Sequence, residues 1–383
     1  MDLNFLNDFL QRISILKIDE TSCLKVISPK STCNKCREVC QQGAITLGER
    51  VNVTEDCNNC GACVAVCPTG VFSISDPSDE YLLERAGSSK KMALTCAKYA
   101  TRLPRKVRNS AIKVECLSRL SFESLLALGV AVEDKLYLYC DEKCCSDCNN
   151  KKTVQYLQSE IYKANSLLGG SKSICWTKDF PQDAFQKRPK DYKGFDNTRR
   201  QFFKEIGAGV KKLPFEALYY MLNGENEIPR NNYNQVKETK GLPFKRQLLL
   251  ESLQKAMDKR GIEGQKLKLP LYKLKIDNCY LCGICTKLCP YSAIRLSADG
   301  NLEINYLRCV NCGLCSDVCN NRAISFHDNV TYEELVGDNW KTIVQSSEKV
   351  CKKCGEKFTA GSNNCVELCL RCKIESDMAG GKG

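Results

Sequence analysis

Apolar and polar positions switch between two periods along residues 91–180. Short apolar runs (KMALT, AIKVE, KLYLY and SKSI) are separated by the helical stretches FESLLALGV and TVQYLQSEIYKANSLL, the second closed by Gly169 and Gly170. The run at 136–139 shows no in–out alternation, as expected of a strand covered on both faces of a parallel sheet. The pattern predicts an open parallel α/β sheet over 90–180. Upstream, MDLNFLNDFLQR reads as an acidic, amphipathic N-terminal helix over 1–19. Downstream, 181–267 is basic and helix-prone with Pro and Asn punctuation (EIPRNNYN, GLPFKRQLLLESLQKAM), a helical linker packed by its Leu and Phe stripe. No apolar run approaches the roughly 20 residues that span a bilayer.

The two ends of the chain carry a repeat instead. It reads Cys33-x-x-Cys36-x-x-x-Cys40-QQGAITL and Cys57-x-x-Cys60-x-x-Cys63-x-x-x-Cys67-PTGVFSI, then Cys279-x-x-Cys282-x-x-Cys285-x-x-x-Cys289-PYSAIRL and Cys309-x-x-Cys312-x-x-Cys315-x-x-x-Cys319-NNRAISF. Each copy ends in a small-residue turn and a short apolar strand, and two copies form one module, over 20–77 and 268–328. A tight C-x-x-C-x-x-C loop delivers three thiolates to one small inorganic core, and the fourth comes from the partner copy. Gly61, Gly283 and Gly313 suit the sharp turns. Zinc favours paired C-x-x-C knuckles over this triple spacing.

These modules resemble the bacterial two-cluster ferredoxin, and the second has all eight Cys of that motif. The resemblance implies crosswise ligation of two [4Fe-4S] clusters. One takes Cys279, Cys282, Cys285 and Cys319; the other takes Cys309, Cys312, Cys315 and Cys289. In the first module Cys57, Cys60, Cys63 and Cys40 make a complete set. Its other set has Cys33, Cys36 and Cys67, because Lys30 stands where the first Cys belongs. Cys23 is the nearest spare, and a longer loop costs little entropy, so it is taken as the fourth ligand. The alternative is a three-iron or labile cluster.

In the predicted sheet, Cys96, Cys116 and Cys140 each follow a strand, so all three belong on its carboxyl edge, where open α/β sheets bind ligands. CDEKCCSDC adds Cys144, Cys145 and Cys148. The stretch VECLSRLSFESLLALGV, a following strand and C-x-x-x-x-C resemble the delta subunit of hydrogenases that pair with heterodisulfide reductase. That resemblance implies a [2Fe-2S] or other iron–sulfur cluster on Cys96, Cys116, Cys140 and Cys145, and a flavin-bearing partner. This chain lacks the doubled Cys usual at the first position, and Cys144 and Cys148 are extra. If the loop after the third strand is extended, Cys144 and Cys145 point opposite ways and only Cys145 binds. Cys175 reads as an ordinary core residue.

At the end of the chain, Cys351-x-x-Cys354-GEKF with Cys369-x-x-Cys372 resembles a zinc ribbon over 345–376, a closed structural site with iron as the alternative. Cys365-x-x-x-Cys369-x-x-Cys372 has radical S-adenosylmethionine spacing, but eleven residues follow it and no barrel fits there. Thr198-Arg199-Arg200 imitates a twin-arginine signal without the apolar core such signals need, and reads as the start of a surface helix. His327 is expected on the surface.

The chain has 383 residues, enough for two to four domains, with 28 Cys and one His. The single His excludes most His-ligated catalytic zinc and iron centres. Knuckle-type Cys spacing and no recognisable signal peptide point to the cytoplasm rather than to a disulfide scaffold. The formal charge of +12 counts every Cys as neutral. Six thiolate-ligated centres would contribute about −12, which argues against a nucleic-acid partner. No dinucleotide fingerprint, phosphate loop or His-based relay is present. The expected protein is α/β and α+β multidomain: two ferredoxin-like ββ/αα modules, a central open parallel sheet, a helical linker and a small zinc ribbon. Its expected work is electron transfer through four [4Fe-4S] clusters, one [2Fe-2S] or other cluster and one zinc, beside a flavoprotein or a hydrogenase or reductase subunit. Two alternatives are an enzyme with a substrate-binding central cluster and a redox-sensing regulator.

Overall fold

The computed structural model describes residues 16–75, 77–148, 151–168, 173–178, 241–260, 269–337, 339–362 and 365–380. Most of the expected N-terminal helix, the twin-arginine-like segment and most of the linker lie outside these residues. The chain divides into two compact units. The first comprises Met1–Lys17, Asp56–Ala65 and Phe72–Val236; the second comprises Ile18–Glu55, Val66–Val71 and Lys237–Gly383. The expected helix over 1–19 needs correction at its end, because Leu16–Ile18 is a strand. Its buried Leu16 and exposed Lys17 follow the two-residue strand period rather than a helical one.

In the first unit, four parallel strands run in the order Ile112–Val114, Lys91–Cys96, Lys135–Tyr139, Ile174–Thr177. Leu94 pairs with Ile112 on one side and Leu138 on the other, and Leu136 pairs with Ile174. The two inner strands are buried beyond their first residues, which is why KLYLY carries no alternation. The helix Phe122–Ala131 is apolar nearly all round because it packs between Asp79–Gly87 and Lys151–Leu167. Ser78 and Ser121 cap the first two of these, each hydroxyl accepting an N–H at 3.2 Å, from Tyr81 and Ser124.

The second unit is built from short antiparallel pairs and one-turn helices. Tyr272–Ile276 pairs with Ile324–Asn329, and the hairpin Ile294–Leu296/Leu302–Ile304 extends to Lys341–Val344. Between these strands sit the helices Ile284–Leu288 and Leu314–Asp317. A second hairpin, Ile45–Leu47 with Val51–Val53, follows the helix Lys35–Val39. Phe244–Arg260 is a helix that buries Leu248, Leu249, Leu253 and Ala256. Arg246 donates to the carbonyl of Cys309, and Gln254 accepts from Tyr332, so this part of the expected linker belongs to the unit's core. The tail forms the hairpin Ser346–Val350/Lys357–Gly361 and the helix Leu370–Gly380. Among the described residues no helix is long and apolar enough to cross a membrane.

Candidate metal centres

The cysteine loops share a backbone rule that their spacing imposes. In the three full copies the residue before the second Cys and the residue after it have positive φ: Asn59 and Gly61, Leu281 and Gly283, Asn311 and Gly313. Two left-handed residues in three coil the chain tightly enough to turn successive thiols inward. The third residue after the last Cys is left-handed in all four copies: Gly43, Gly70, Ser292 and Arg322. There the chain turns back, and an N–H four residues beyond the last Cys donates to its sulfur. These bonds are Val71 to Cys67 at 3.4 Å, Ala293 to Cys289 at 3.3 Å and Ala323 to Cys319 at 3.3 Å. Leu281 N–H adds one to Cys279 at 3.3 Å. Such donors orient thiolates and offset their charge.

In the second module the thiols fall into two groups. Burial pushes Cys285 up to about 12, with the charges of Cys279, Cys282 and Cys319 adding to it. Burial pushes Cys312 up to about 12 as well, here with Cys289 and Cys309, and it raises Cys315 among Cys309, Cys312 and Cys289, with Cys285 of the other group the weakest of its neighbours. Sulfurs gathered from water against their own repulsion are the donor set a soft, cationic iron–sulfur core fits.

The departing copy of the first module is rebuilt. Its helix Lys35–Val39 occupies the place of Ala62–Val66, Ile284–Leu288 and Leu314–Asp317 relative to the cysteines. The left-handed Gly is replaced by Asn34, at φ −132°. A 3-10 turn, Glu20–Ser22, and the helix Leu24–Ile27 bring Cys23 in from the other direction. Burial raises Cys23, helped by the charges of Cys67 and Cys33. Cys36 is pushed up to about 12 by burial, then by Cys67, Cys23 and Cys33. Cys23 and Cys36 thus lie within electrostatic reach of Cys33 and Cys67. Cys57, Cys60 and Cys63 belong to the first unit and Cys40 to the second.

On the central sheet, Cys96 ends its strand, Cys140 follows Tyr139, and Cys116 lies two residues beyond Val114. All three are at the carboxyl edge. The next segment corrects the expectation of an extended loop: Glu142–Asp147 is a helix, capped by Asp141 through the Lys143 N–H at 3.1 Å. Neighbours on a helix are not opposed, so Cys144 and Cys145 are both buried. The Sγ atoms of Cys140 and Cys145 are 3.2 Å apart. Hydrogen bonding from Cys140 brings Cys96 down to about 7 against the effect of burial, aided by the Tyr99 N–H at 3.3 Å and by Cys144. Burial, then the charge of Cys96, pushes Cys144 up to about 11.

Burial pushes Cys116 up to about 12, and it faces both Cys60 and Cys96. Ser118 Oγ lies 3.1 Å from the Cys116 sulfur and 3.1 Å from the Cys60 carbonyl. Next to it, buried Arg119 donates to the Pro77 carbonyl and Asp79 carboxylate, both at 2.7 Å. Sequence reasoning passed over Ser118 and Arg119, although both sit in the quoted VECLSR stretch. Cys148 ends the helix, and Cys175 is half-buried within its strand.

The tail set is the tightest. Among the described residues it is the one Cys, His and carboxylate group whose ligand atoms all lie within 4.8 Å: Cys351, Cys354, Cys369 and Cys372. Cys354 and Cys369 are 3.9 Å apart, close to the about 3.8 Å edge of a tetrahedron with Zn–S of about 2.3 Å. The Cys369 N–H donates to the Cys351 sulfur at 3.2 Å. None of the described cysteines is in a disulfide.

Profiles of the 4Fe-4S dicluster domain match residues 31–71 and 278–324. No curated protein and no solved structure matches the chain significantly. The chain thus carries two 4Fe-4S dicluster domains, which indicate an iron–sulfur electron-transfer function with up to four such clusters.

Proposed function

We propose that the chain is a relay subunit that passes single electrons between partners of an anaerobic oxidoreductase, with a fifth centre on the sheet edge. The observation that carries this is the gathering of thiols in the two dicluster domains. Clusters bound there supply reversible one-electron storage, and their ligation defines what the side chains do. Cys279, Cys282, Cys285 and Cys319 hold one, and Cys289, Cys309, Cys312 and Cys315 the next. The sequence motif gives Cys57, Cys60 and Cys63 the same role. Cys23 completes the set of Cys33, Cys36 and Cys67.

On the sheet edge, Cys96, Cys140 and Cys145 bind a two-iron centre, as the resemblance to hydrogenase delta subunits implies, with a flavoprotein as the matching partner. Cys144 replaces Cys116 as the fourth ligand, because its helix turns it toward Cys96 while Cys116 is held at Ser118. The tail holds zinc, supported by single-ion spacing of its sulfurs.

Metal and sulfide analysis of the anaerobically purified chain tests this. About eighteen irons and one zinc per chain are expected. Iron near eight would sink the multi-centre relay.

A further inference from the structure

In the second unit, the rebuilt copy of the first module meets the second module at a buried seam. Leu24, Leu314 and Val318 form one buried cluster, and Cys33 and Cys312 both pack against it. Tyr291 lies two residues after Cys289, where the other copies have Gln42, Thr69 and Asn321. It is 5% exposed, its hydroxyl donates to the Thr69 carbonyl at 2.7 Å, and its ring site feels the charges of both Cys67 and Cys312. The segment that lost its ligand supplies the grip. Lys30, at the missing Cys position, bonds Asn320, and Thr32 gives its N–H and hydroxyl to Asp317 at 2.7 and 2.9 Å.

We propose that the two dicluster modules exchange electrons within the chain, across this seam, between the Cys23/Cys33/Cys36/Cys67 set and the Cys289/Cys309/Cys312/Cys315 set. The proposal rests on both sets holding clusters, as proposed above. Clusters held by the two sets would exchange one electron, one cluster being oxidised as the other is reduced, with no bond broken and no proton moved. A low-potential one-electron donor protein supplies the electron and a one-electron acceptor removes it. Leu24, Leu314 and Val318 pack as one buried cluster with Cys33 and Cys312 against it, so the two sets approach one another through close-packed apolar side chains. The departure of the first copy from its motif then has a reason. Moving its ligand to Cys23 freed residues 28–32 to dock the second module.

The test is magnetic. The full chain, purified anaerobically and reduced with dithionite, is examined by electron paramagnetic resonance beside its iron count. The second module's signal is expected to be broadened and fast-relaxing through coupling to the Cys23 set. Cys36→Ser should remove about four irons and abolish that coupling. Should Cys36→Ser not fold, Tyr291→Phe combined with Asp317→Ala decides, since it keeps every cysteine: iron is unchanged and the coupling is lost. A full iron count with no coupling in the parent chain, or coupling untouched by the seam variant, overturns the proposal. A parent chain lacking the four irons of the Cys23 set overturns it too, and the iron count then identifies the ligand assignment as the fault.

Discussion

The second dicluster module and the central sheet both gather thiols, but they do it by opposite means. In the module, three of four sulfurs come from seven consecutive residues, and left-handed Leu281, Gly283, Asn311 and Gly313 close the loops. On the sheet, Cys96 and Cys140 are far apart in sequence and a hydrogen-bonded parallel register brings their strand ends to one edge, where the helix Glu142–Asp147 adds Cys144 and Cys145. In the module the buried apolar residues, Ile294, Leu302, Ile304, Leu314 and Val318, are interleaved with the cysteine loops, whereas the sheet packs Leu94, Leu125, Leu126, Leu136 and Leu138 away from its thiols. The first site is part of its own fold; the second is carried by one.

Removing a ligand from each is the strongest way to break that contrast. Cys312→Ala is expected to cost about four irons and to unfold the second module, because metal binding there is folding free energy. Cys144→Ala should cost about two irons yet leave the sheet folded, while Cys116→Ala keeps them. Iron analysis with circular dichroism reads both. A central domain that melts with its metal would erase the distinction.

Arg119 probes the sheet's packing without touching a thiol. Its side chain is 1% exposed and bound to Asp79, so Arg119→Met leaves a part-buried carboxylate unpaired and should cost about 3–5 kcal/mol. Denaturant unfolding of the first unit's near-ultraviolet signal checks it. A loss below about 1 kcal/mol would show that the pair is dispensable.

Gly61→Ala and Gly313→Ala separate loop closure from packing. At both, φ is positive (+74° and +87°), so each substitution carries roughly 1–2 kcal/mol of backbone strain. At Gly313 the new Cβ meets open space. At Gly61 it would lie 2.5 Å from Ile74 Cδ1 and 2.6 Å from Arg119 Cβ, adding about 1–3 kcal/mol of overpacking. Equal melting shifts for the two would refute the steric share.

The smallest effect concerns pH. Burial alone would raise Glu334, but the Thr331 N–H and the Lys341 and Lys273 ammoniums outweigh it and hold the carboxyl down at about 2. The folded value lies below the ordinary 4.5, so this contribution to stability is complete above about pH 4.5 and is lost as pH falls toward 2. Glu334→Gln should flatten the acid limb of the second unit's stability curve. An unchanged limb would assign that limb to other carboxylates.

Spacing alone made the ferredoxin loops legible, since C-x-x-C-x-x-C confines three sulfurs to one turn whatever surrounds it. The strands of the central sheet were legible, since KMALT, AIKVE and KLYLY mark strands whose ends carry Cys, but their order in the sheet was not. Local pattern said less about CDEKCCSDC, which is too short for a helical period to show and folds as the helix Glu142–Asp147. That helix decides that Cys144 faces Cys96. The break at Lys30 was visible as a gap, but its use was not. Whether Cys23 reaches Cys36 and Cys67 depends on a turn and a helix that the spacing does not announce, and whether Lys30 and Thr32 reach Asn320 and Asp317 depends on residues nearly 300 positions apart. Short-range spacing limits a loop to a few backbone states, so the sequence alone determines which thiols share a turn. Contacts across hundreds of residues are chosen by burial and packing of whole elements, so only the tertiary structure decides which thiol sets become neighbours.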